Sequence, residues 1–509
     1  MKTRGAVFQI ILLVVLFTSS VIAQEFVDWE VVRKIREEGF QRSQVMDITW
    51  HMTELVGPRL SGSPDMREAQ LWAIQKMDEI GMVNTALEPW GEFGIGWTNE
   101  YTSVHMMEPR YTPLIGYSKA WTEGTNGKKV ADAVIVDIQT RDDFIRYIGQ
   151  LRNKVVLSQP PRFVELGFEP DARRYTDEEV MNMSKYQLPV EAPERARGER
   201  DPNIPSRDEL NEFYRSEGVV AVFDRGSKGD DGTIFITGGG SRNPNDPRAI
   251  PALTIAVEQY NRMYRLAERG YTVTVELDIR NTYHTDDLME YNVIGEFPGT
   301  DLADEVVIVG AHYDSWHTST GATDIASGCA CAIEAVRILK AIGVQPRRTI
   351  RVALWSAEEQ GLIGSREYVN NHFGTRDNKK PEYDKLCAYF QHDGGTGRAR
   401  AISIQSNPEM IPIFSAWMEP FHDLGFTAIT GHHSVSSGGT DHASFLSAGL
   451  NGFSFSQDRI QYSTKTHHSN MDGYDNLIAE DVIVNAVITA SFIYHAAMRD
   501  EILPKRKMN

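Results

Sequence analysis

Cysteine is scarce in this chain of 509 residues. It occurs three times, as Cys329, Cys331 and Cys387. The first two lie in an alanine-rich apolar segment, where cysteine usually behaves as a small hydrophobic residue. Three cysteines are too few to argue for a disulfide scaffold, and their number excludes a zinc site built from cysteine ligands.

Positive charge is also in short supply. The chain has 52 Lys and Arg residues against 70 Asp and Glu residues, which gives a formal net charge of −18. No long basic run occurs in the sequence. This composition argues against nucleic acid and against an anionic membrane surface as partners.

The N-terminal region lacks a hydrophobic run long enough to span a bilayer. Its apolar run covers residues 7–17, well short of the roughly 20 residues that a spanning helix requires. Lys2 and Arg4 precede the run, and small or apolar residues follow it up to Ala23. This order predicts a signal peptide over residues 1–23, cleaved near Ala23. The chain is therefore expected to be exported, to the periplasm or beyond the cell, without a stable membrane anchor.

The remaining 509 − 23 = 486 residues exceed what one hydrophobic core usually holds, so two domains are expected. Residues 29–81 have helical periodicity. Residues 120–275 contain short β-type runs between glycine-rich turns, which predicts a β-rich unit. From residue 291 onward, apolar strands alternate with helices, and this predicts an α/β sheet covered on both faces.

One stretch inside the β-rich unit, residues 169–202, is crowded with charge and contains four prolines. Its composition argues against packing in a core. The stretch is predicted to be a long solvated loop or lid over the open strand ends of the sheet, and a disordered insertion is the alternative.

Metal-type ligands follow the predicted strands at their carboxyl ends, where sites assemble in α/β sheets. His312 and Asp314 come directly after the strand 306–309, and Asp314 is placed to hydrogen-bond the far ring nitrogen of His312. A core histidine is the alternative for His312. Asp324 opens a helix predicted over residues 324–339, either as its N-cap or as a carboxylate that bridges two cations.

Two adjacent glutamates, Glu358 and Glu359, follow the next buried strand. Neighbouring side chains in extended chain point to opposite sides, so one can bind metal while the other faces an attacking water. A solvated acidic loop is the alternative, but it fits poorly beside so apolar a strand. Asp393 follows a third strand, as a ligand or as a turn residue. His467 and His468 are adjacent, and spacing alone does not choose between them.

The order of these residues is more specific than any one of them. A His-x-Asp pair, an Asp 12 residues after the His, a Glu-Glu pair, an Asp and a His resemble the co-catalytic zinc exopeptidases, the family of aminopeptidase, glutamate carboxypeptidase and carboxypeptidase Q type. The runs Glu-Glu-Gln-Gly-Leu-Ile-Gly-Ser (358–365) and Gly-Thr-Asp-His (439–442) also look like that family. The resemblance extends from about Met46 to the C-terminus.

This resemblance implies a fold and a domain division. The fold is a mixed, mostly parallel sheet with helices on both faces, plus an inserted β-rich domain similar to the protease-associated domain. Residues 24–119 and 276–509 would form the two parts of the catalytic domain, the second of them bearing the metal. Residues 120–275 would be the inserted domain.

The resemblance also implies two divalent ions, expected to be Zn²⁺, which suit a set of imidazole and carboxylate ligands. Asp324 would bridge both ions, with two further ligands at each. The implied metal ligands are His312, Asp324, Glu359, Asp393 and His468.

His468 is preferred to His467 because the last ligand of the family usually occurs as His-x-x-x-Asp, here from His468 to Asp472. Glu358 would be the general base, and Asp314 would orient His312 by contacting the ring nitrogen that does not bind metal.

The function implied is that of a secreted metal-dependent exopeptidase that acts on peptide or dipeptide substrates. The two ions would activate a water, and Glu358 would accept its proton. Cleavage from the amino end is favoured over cleavage from the carboxyl end. A glutaminyl-cyclase-like acyl transferase and a non-catalytic receptor are the alternatives, and the complete ligand set argues against the receptor. A homodimer is compatible with these expectations.

Overall fold

The computed structural model describes residues 25–185, 201–433, 435 and 439–507. The predicted signal peptide, residues 1–23, therefore lies outside the described residues, as does part of the predicted loop 169–202. Two eight-stranded sheets organise the described chain.

The first sheet is mixed, and its strand order is β1-β10-β12-β11-β13-β16-β14-β15. The four central strands β12, β11, β13 and β16 are parallel, whereas β10 and β14 run antiparallel to their neighbours in this group. The predicted mixed, mostly parallel sheet is thus confirmed. The strands are β1 (Val83–Glu92), β10 (Met289–Phe297), β11 (Leu302–His312), β12 (Arg348–Trp355), β13 (Leu386–His392), β14 (Ala399–Ser403), β15 (Ala428–Thr430) and β16 (Gly452–Gln457).

Helices cover this sheet on both faces, as predicted. One face packs against the apolar sides of α1, α2, α3, α7, α9 and α11, and the other packs against α8 and α10. The helices are α1 (Trp29–Gln41), α2 (Val45–Trp50), α3 (Pro64–Glu79), α7 (Ser327–Ala341), α8 (Ile363–His372), α9 (Met410–Met418), α10 (His442–Ser447) and α11 (Ala479–Met498).

Helix α11 is the one helix of the described chain that is long and apolar enough to cross a membrane. Of its most apolar window, 89% is buried inside the protein. It contacts α1, α7 and the first sheet. Its hydrophobicity is therefore explained by its position as a core helix.

The second sheet has the order β3-β2-β9-β5-β6-β7-β8-β4 and is flanked by helices. It draws its strands from residues 96–284, a wider range than the predicted insert 120–275, because the long strands β2 and β9 pair with each other as its second and third strands. The elements are β2 (Gly96–Glu108), β3 (Thr112–Pro113), β4 (Gly116–Ser118), β5 (Lys129–Ile135), β6 (Lys154–Leu157), α4 (Asp177–Met183), α5 (Arg207–Glu217), β7 (Ala221–Asp224), β8 (Ala252–Ile255), α6 (Val257–Glu268) and β9 (Thr274–His284).

The described part of the predicted loop 169–202 is not wholly solvated. Thr176 and Glu179 form a reciprocal capping box that begins α4, and such a box satisfies two N–H groups of the first turn. Val180 is 2% exposed and packs against buried residues of β14 and β15. The prediction that this stretch avoids core packing is therefore wrong for α4, whose one buried apolar side chain is hidden among charged neighbours in the sequence.

Candidate metal centre

The carboxyl ends of three neighbouring parallel strands meet at the centre of the first sheet. β11 ends at His312 and lies between β12 and β13. β12 ends three residues before Glu358, and β13 ends one residue before Asp393. The sheet therefore brings together three groups of residues that are far apart in the sequence.

Asp324 lies in a distorted helical turn, Ala322–Ala326, directly before α7. The helix predicted from residue 324 begins at Ser327, and its N-cap position is occupied by Ala326. The Asp324 carboxylate points elsewhere: Oδ1 accepts a hydrogen bond of 2.9 Å from the Tyr462 hydroxyl. Oδ2 is buried and has no hydrogen-bond partner among the described residues. The N-cap alternative is thus excluded.

Two histidines approach the Asp324 carboxylate from either side. His312 Nε2 lies 3.4 Å from Oδ1, and His468 Nε2 lies 3.4 Å from Oδ2. His312 Nε2 is also 3.6 Å from Asp393 Oδ1, and His468 Nε2 is 2.7 Å from Glu359 Oε2. Asp324 is therefore shared by two groups of donors, one on each side of it.

These separations can be compared with those around a zinc ion. Ligands about 2.0–2.1 Å from a tetrahedral zinc are about 3.3 Å from one another. The group of His312, Asp324 and Asp393 matches this spacing. In the other group, His468 and Glu359 must move apart by about 0.6 Å to share an ion. Glu359 Oε1 is buried and, like Asp324 Oδ2, has no partner in the described part of the chain. The residues fit a pair of zinc-like ions.

The structure distinguishes the two adjacent histidines. Their rings stack at 3.7 Å, and His467 Nε2 is 4.0 Å from Asp324 Oδ2. His468 is closer to Asp324 and also contacts Glu359. Asp472, four residues after His468, accepts a hydrogen bond of 3.1 Å from the backbone N–H of Asp324. This arrangement favours His468 as the ligand, and Asp472 fastens its segment to the shared aspartate.

The backbone at His468 is held by the unit that contains the second sheet. His468 has φ = 60°, a left-handed conformation that costs a non-glycine residue about 1–2 kcal/mol. Its carbonyl accepts a hydrogen bond of 3.0 Å from Ile236 N–H, and Asn470 N–H donates one of 3.1 Å to Ile234. Phe235 and Ser469 form an antiparallel bridge between these contacts. The strained backbone is thus stabilised by residues 234–236.

Asp314 supports the site differently from the prediction. Its carboxylate accepts hydrogen bonds from the backbone N–H groups of Glu358 (3.1 Å) and Glu359 (3.3 Å). It lies 3.9 Å from His312 Nδ1, whereas the backbone carbonyl of Asp314 lies 2.9 Å from that nitrogen. The predicted hydrogen bond from the carboxylate to His312 is therefore corrected. The carbonyl orients the ring, and the carboxylate orients the glutamate pair.

Glu358 lies near enough to His312, Asp393 and Glu359 to interact with their charges. Burial raises the pKa of Glu358 well above its usual value, because the charged form is desolvated. Asp393, Asp441 and Glu359 raise that pKa further, while His312 lowers it.

Two aromatic residues that the sequence did not single out contact the candidate ligands. The Trp316 indole N–H donates a hydrogen bond of 2.8 Å to Glu359 Oε2, and the ring lies 6.1 Å from that of Trp121 in the second unit. Tyr462 bonds Asp324 as described above. Both contacts join segments that are distant in the sequence, so no local pattern predicts them.

Arg59 also supports the site through contacts that the sequence pattern does not predict. It is 0% exposed, and its guanidinium donates to five backbone carbonyls. Three of them belong to the loop that connects His312 with Asp324, so Arg59 fastens both ends of that loop. The acceptors are Tyr313 (2.8 Å), Thr320 (2.8 Å), Gly321 (3.0 Å), Gly57 (3.1 Å) and Met52 (3.2 Å).

The sequence was compared with protein-family models and with known proteins, and both comparisons identify similar peptidases. Residues 292–492 match the model of peptidase family M28, and this range contains every candidate metal ligand. Carboxypeptidase Q of Mus musculus is 26% identical over 486 residues, which cover 95% of this chain and 91% of that protein. Residues 292–492 of this chain belong to peptidase family M28.

Solved structures agree on the fold of this M28 chain. A peptidase M28 precursor from Shewanella amazonensis has a TM-score of 0.67 and 24% identity, with 94% of this chain and 99% of that chain covered. A zinc aminopeptidase from Bacillus subtilis has a TM-score of 0.55 and 17% identity, with coverage of 90% and 95%. M28 membership confirms the predicted class of zinc-dependent exopeptidase. The second sheet lies outside the matched range, and its assignment as a protease-associated domain stays a prediction.

Proposed function

We propose that this M28 peptidase is exported and removes a terminal residue from peptides, or splits dipeptides, with two zinc ions held by the five candidate ligands. Asp324 would bridge the ions, His312 and Asp393 would complete one site, and Glu359 and His468 would complete the other. The observation that carries the proposal is the shared carboxylate: each oxygen of Asp324 has a histidine nitrogen 3.4 Å away.

The bound ions would supply Lewis acidity at the scissile carbonyl and lower the pKa of water. Glu358 would accept the proton of the attacking water and return it to the leaving amine. Its backbone is held by the Asp314 carboxylate, so the carboxylate of Glu358 can keep one position through both transfers. The peptide bond is broken between its carbonyl carbon and its nitrogen, and water supplies one hydroxyl and one proton.

Zinc analysis of the purified protein tests this proposal. We expect close to two zinc ions per chain, and we expect hydrolysis of an aminoacyl anilide and of dipeptides to stop after exhaustive dialysis against a chelator and to return with zinc. Full activity after such dialysis would refute the proposal. One ion per chain together with cyclisation of N-terminal glutamine would favour the acyl-transferase alternative instead.

A further inference from the structure

The loop of residues 57–64 contacts the turn that carries Glu358. Ser61 lies in this loop and is 0% exposed. Its hydroxyl oxygen accepts a hydrogen bond of 2.9 Å from the backbone N–H of Ala357, the residue before Glu358. The two residues are 296 positions apart in the sequence, so the contact joins two distant segments of the chain beside the proposed general base.

Ala357 has a backbone conformation that an L-residue keeps only under constraint. Its φ is 56°, in the left-handed region, where the Cβ atom comes too close to the following carbonyl oxygen. A residue stays in such a conformation only where its surroundings fix it. The Ala357 carbonyl accepts a hydrogen bond of 3.0 Å from Ile363 N–H, and the Ala357 N–H donates to Ser61. Both backbone polar groups of this residue are therefore held by other segments.

The conformation of Ala357 sets the direction in which the chain leaves β12. That strand ends at Trp355, and the left-handed residue two positions later begins a tight turn. Within the turn, the N–H groups of Gly361 and Leu362 donate hydrogen bonds of 2.8 Å and 2.9 Å to the Glu358 carbonyl. A rotation of the backbone at Ala357 would therefore move the whole turn and displace the Glu358 carboxylate from its position.

Ser61 is itself fixed on both sides. Arg59, two residues before it, donates to the five carbonyls described above. The N–H of Gly62, directly after it, donates a hydrogen bond of 2.6 Å to Glu290 Oε2. Glu290 is 2% exposed, and its other oxygen accepts a hydrogen bond of 2.7 Å from the Gln70 side chain. This buried carboxylate, which the proposed chemistry does not use, thus gives Ser61 a firm support.

We propose that Ser61 is a positioning residue for Glu358: its hydroxyl keeps the Ala357 peptide group in the orientation that directs the Glu358 carboxylate towards the attacking water. This inference rests on the proposed function, in which Glu358 accepts the proton of that water. A general base must lie within hydrogen-bond reach of the proton that it removes, and a displacement of about 1 Å can lower the rate by about 100-fold. Ser61 therefore affects the chemical step through the backbone of Ala357.

The test measures kcat, KM and zinc content of the zinc-loaded Ser61→Ala variant with an aminoacyl anilide and a dipeptide. We expect kcat to fall by about 10- to 100-fold, whereas KM and the zinc content stay unchanged because no metal ligand is altered. In the Glu358→Gln background the same substitution should change kcat by less than about twofold, since the group that Ser61 positions is already lost. This coupling distinguishes positioning of Glu358 from an effect on stability.

Ser63→Ala is the matched control, because Ser63 lies in the same loop but caps α3, where its hydroxyl accepts a hydrogen bond of 3.1 Å from Met66 N–H. This variant should unfold at a lower temperature than the wild type and keep its kcat.

The inference would be overturned by an unchanged kcat or a loss of zinc in Ser61→Ala, or by an equal fall of kcat in Ser63→Ala. Full additivity of Ser61→Ala with Glu358→Gln would also overturn it. Each of these results leaves the proposed function intact. Failure of the zinc-loaded wild type to hydrolyse either substrate would overturn the proposed function, and the inference with it.

Discussion

Substitution of Arg59 by lysine separates the positioning of metal ligands from general stability. The substitution keeps a buried positive charge but replaces a planar group that reaches five carbonyls. A lysine ammonium has three donors, so at least two of the five carbonyls lose their hydrogen bond to residue 59. Two of the affected acceptors, Tyr313 and Gly321, flank the loop between His312 and Asp324.

The magnitude follows from these lost hydrogen bonds. A hydrogen bond to a charged group contributes about 1.5–3 kcal/mol, so the loss of two of them should destabilise the protein by about 3–6 kcal/mol. A looser loop also lets His312 and Asp324 move relative to each other. Removal of groups that orient metal ligands typically costs 10- to 100-fold in metal affinity, and we expect a loss in about that range for Arg59→Lys.

Arg348 provides a matched control for this substitution. It is 1% exposed, and its guanidinium also donates to backbone carbonyls, those of Ala496, Arg499 and Asp500. It begins β12, seven residues from the end of that strand at Trp355, which places it about 23 Å from the metal-bearing edge. Arg348→Lys should therefore destabilise the fold without touching the ligands.

The assay is competition for zinc between each variant and a chromophoric chelator, together with the thermal midpoint of the zinc-free protein. Both variants should unfold at lower temperature than the wild type, and Arg59→Lys alone should bind zinc more weakly. Equal zinc affinity in the wild type and Arg59→Lys would refute the positioning role. An equal loss of affinity in both variants would assign the effect to general stability.

Two further predictions concern the glutamate pair and a histidine distant from it. Glu358→Gln should retain both ions yet lower kcat by about 10²–10⁴-fold, because an amide cannot accept the proton. Glu359→Gln should instead lower the zinc content of the protein. Normal turnover in Glu358→Gln, or loss of zinc in that variant alone, would contradict these roles. Although burial lowers the pKa of His372, its contacts with Glu382 and Glu88 raise it to about 9. The folded state therefore binds the His372 proton more tightly than the unfolded state, and this stabilisation, up to about 3 kcal/mol, is complete below pH 6.5 and lost as the pH rises through about 9. The thermal midpoint of His372→Gln should accordingly fall furthest below that of the wild type near pH 6, and a difference that does not shrink by pH 10 would contradict this reasoning.

The candidate ligands could be predicted because each follows a local signal. His312, Glu358 and Asp393 come just after buried apolar strands, and parallel strands bring their carboxyl ends together. The role of Asp324 was harder to predict, since an acidic residue before an apolar helix is also the usual pattern of an N-cap. The structure decides this case by placing Ala326 at the cap.

The supporting residues could not be predicted in this way. Arg59 and Trp316 act through hydrogen bonds to residues 254 and 43 positions away, respectively, and such contacts leave no periodic pattern in the sequence. The full residue range of the second sheet could not be predicted for a related reason. The long pair of β2 and β9 joins residues on both sides of the predicted insert, and composition does not reveal that pairing.

The bridge between Phe235 and Ser469 makes two binding equilibria depend on each other. The segment that carries His468 forms its β-bridge and backbone hydrogen bonds with residues 234–236, so its conformation depends on contact with the second unit. If this contact increases the metal affinity of the site, then bound metal must strengthen the contact between the two units by the same free energy. Metal binding and packing of the second unit are therefore coupled through this segment. A catalytic part expressed without residues 96–284 would lack the contacts that hold the backbone at His468.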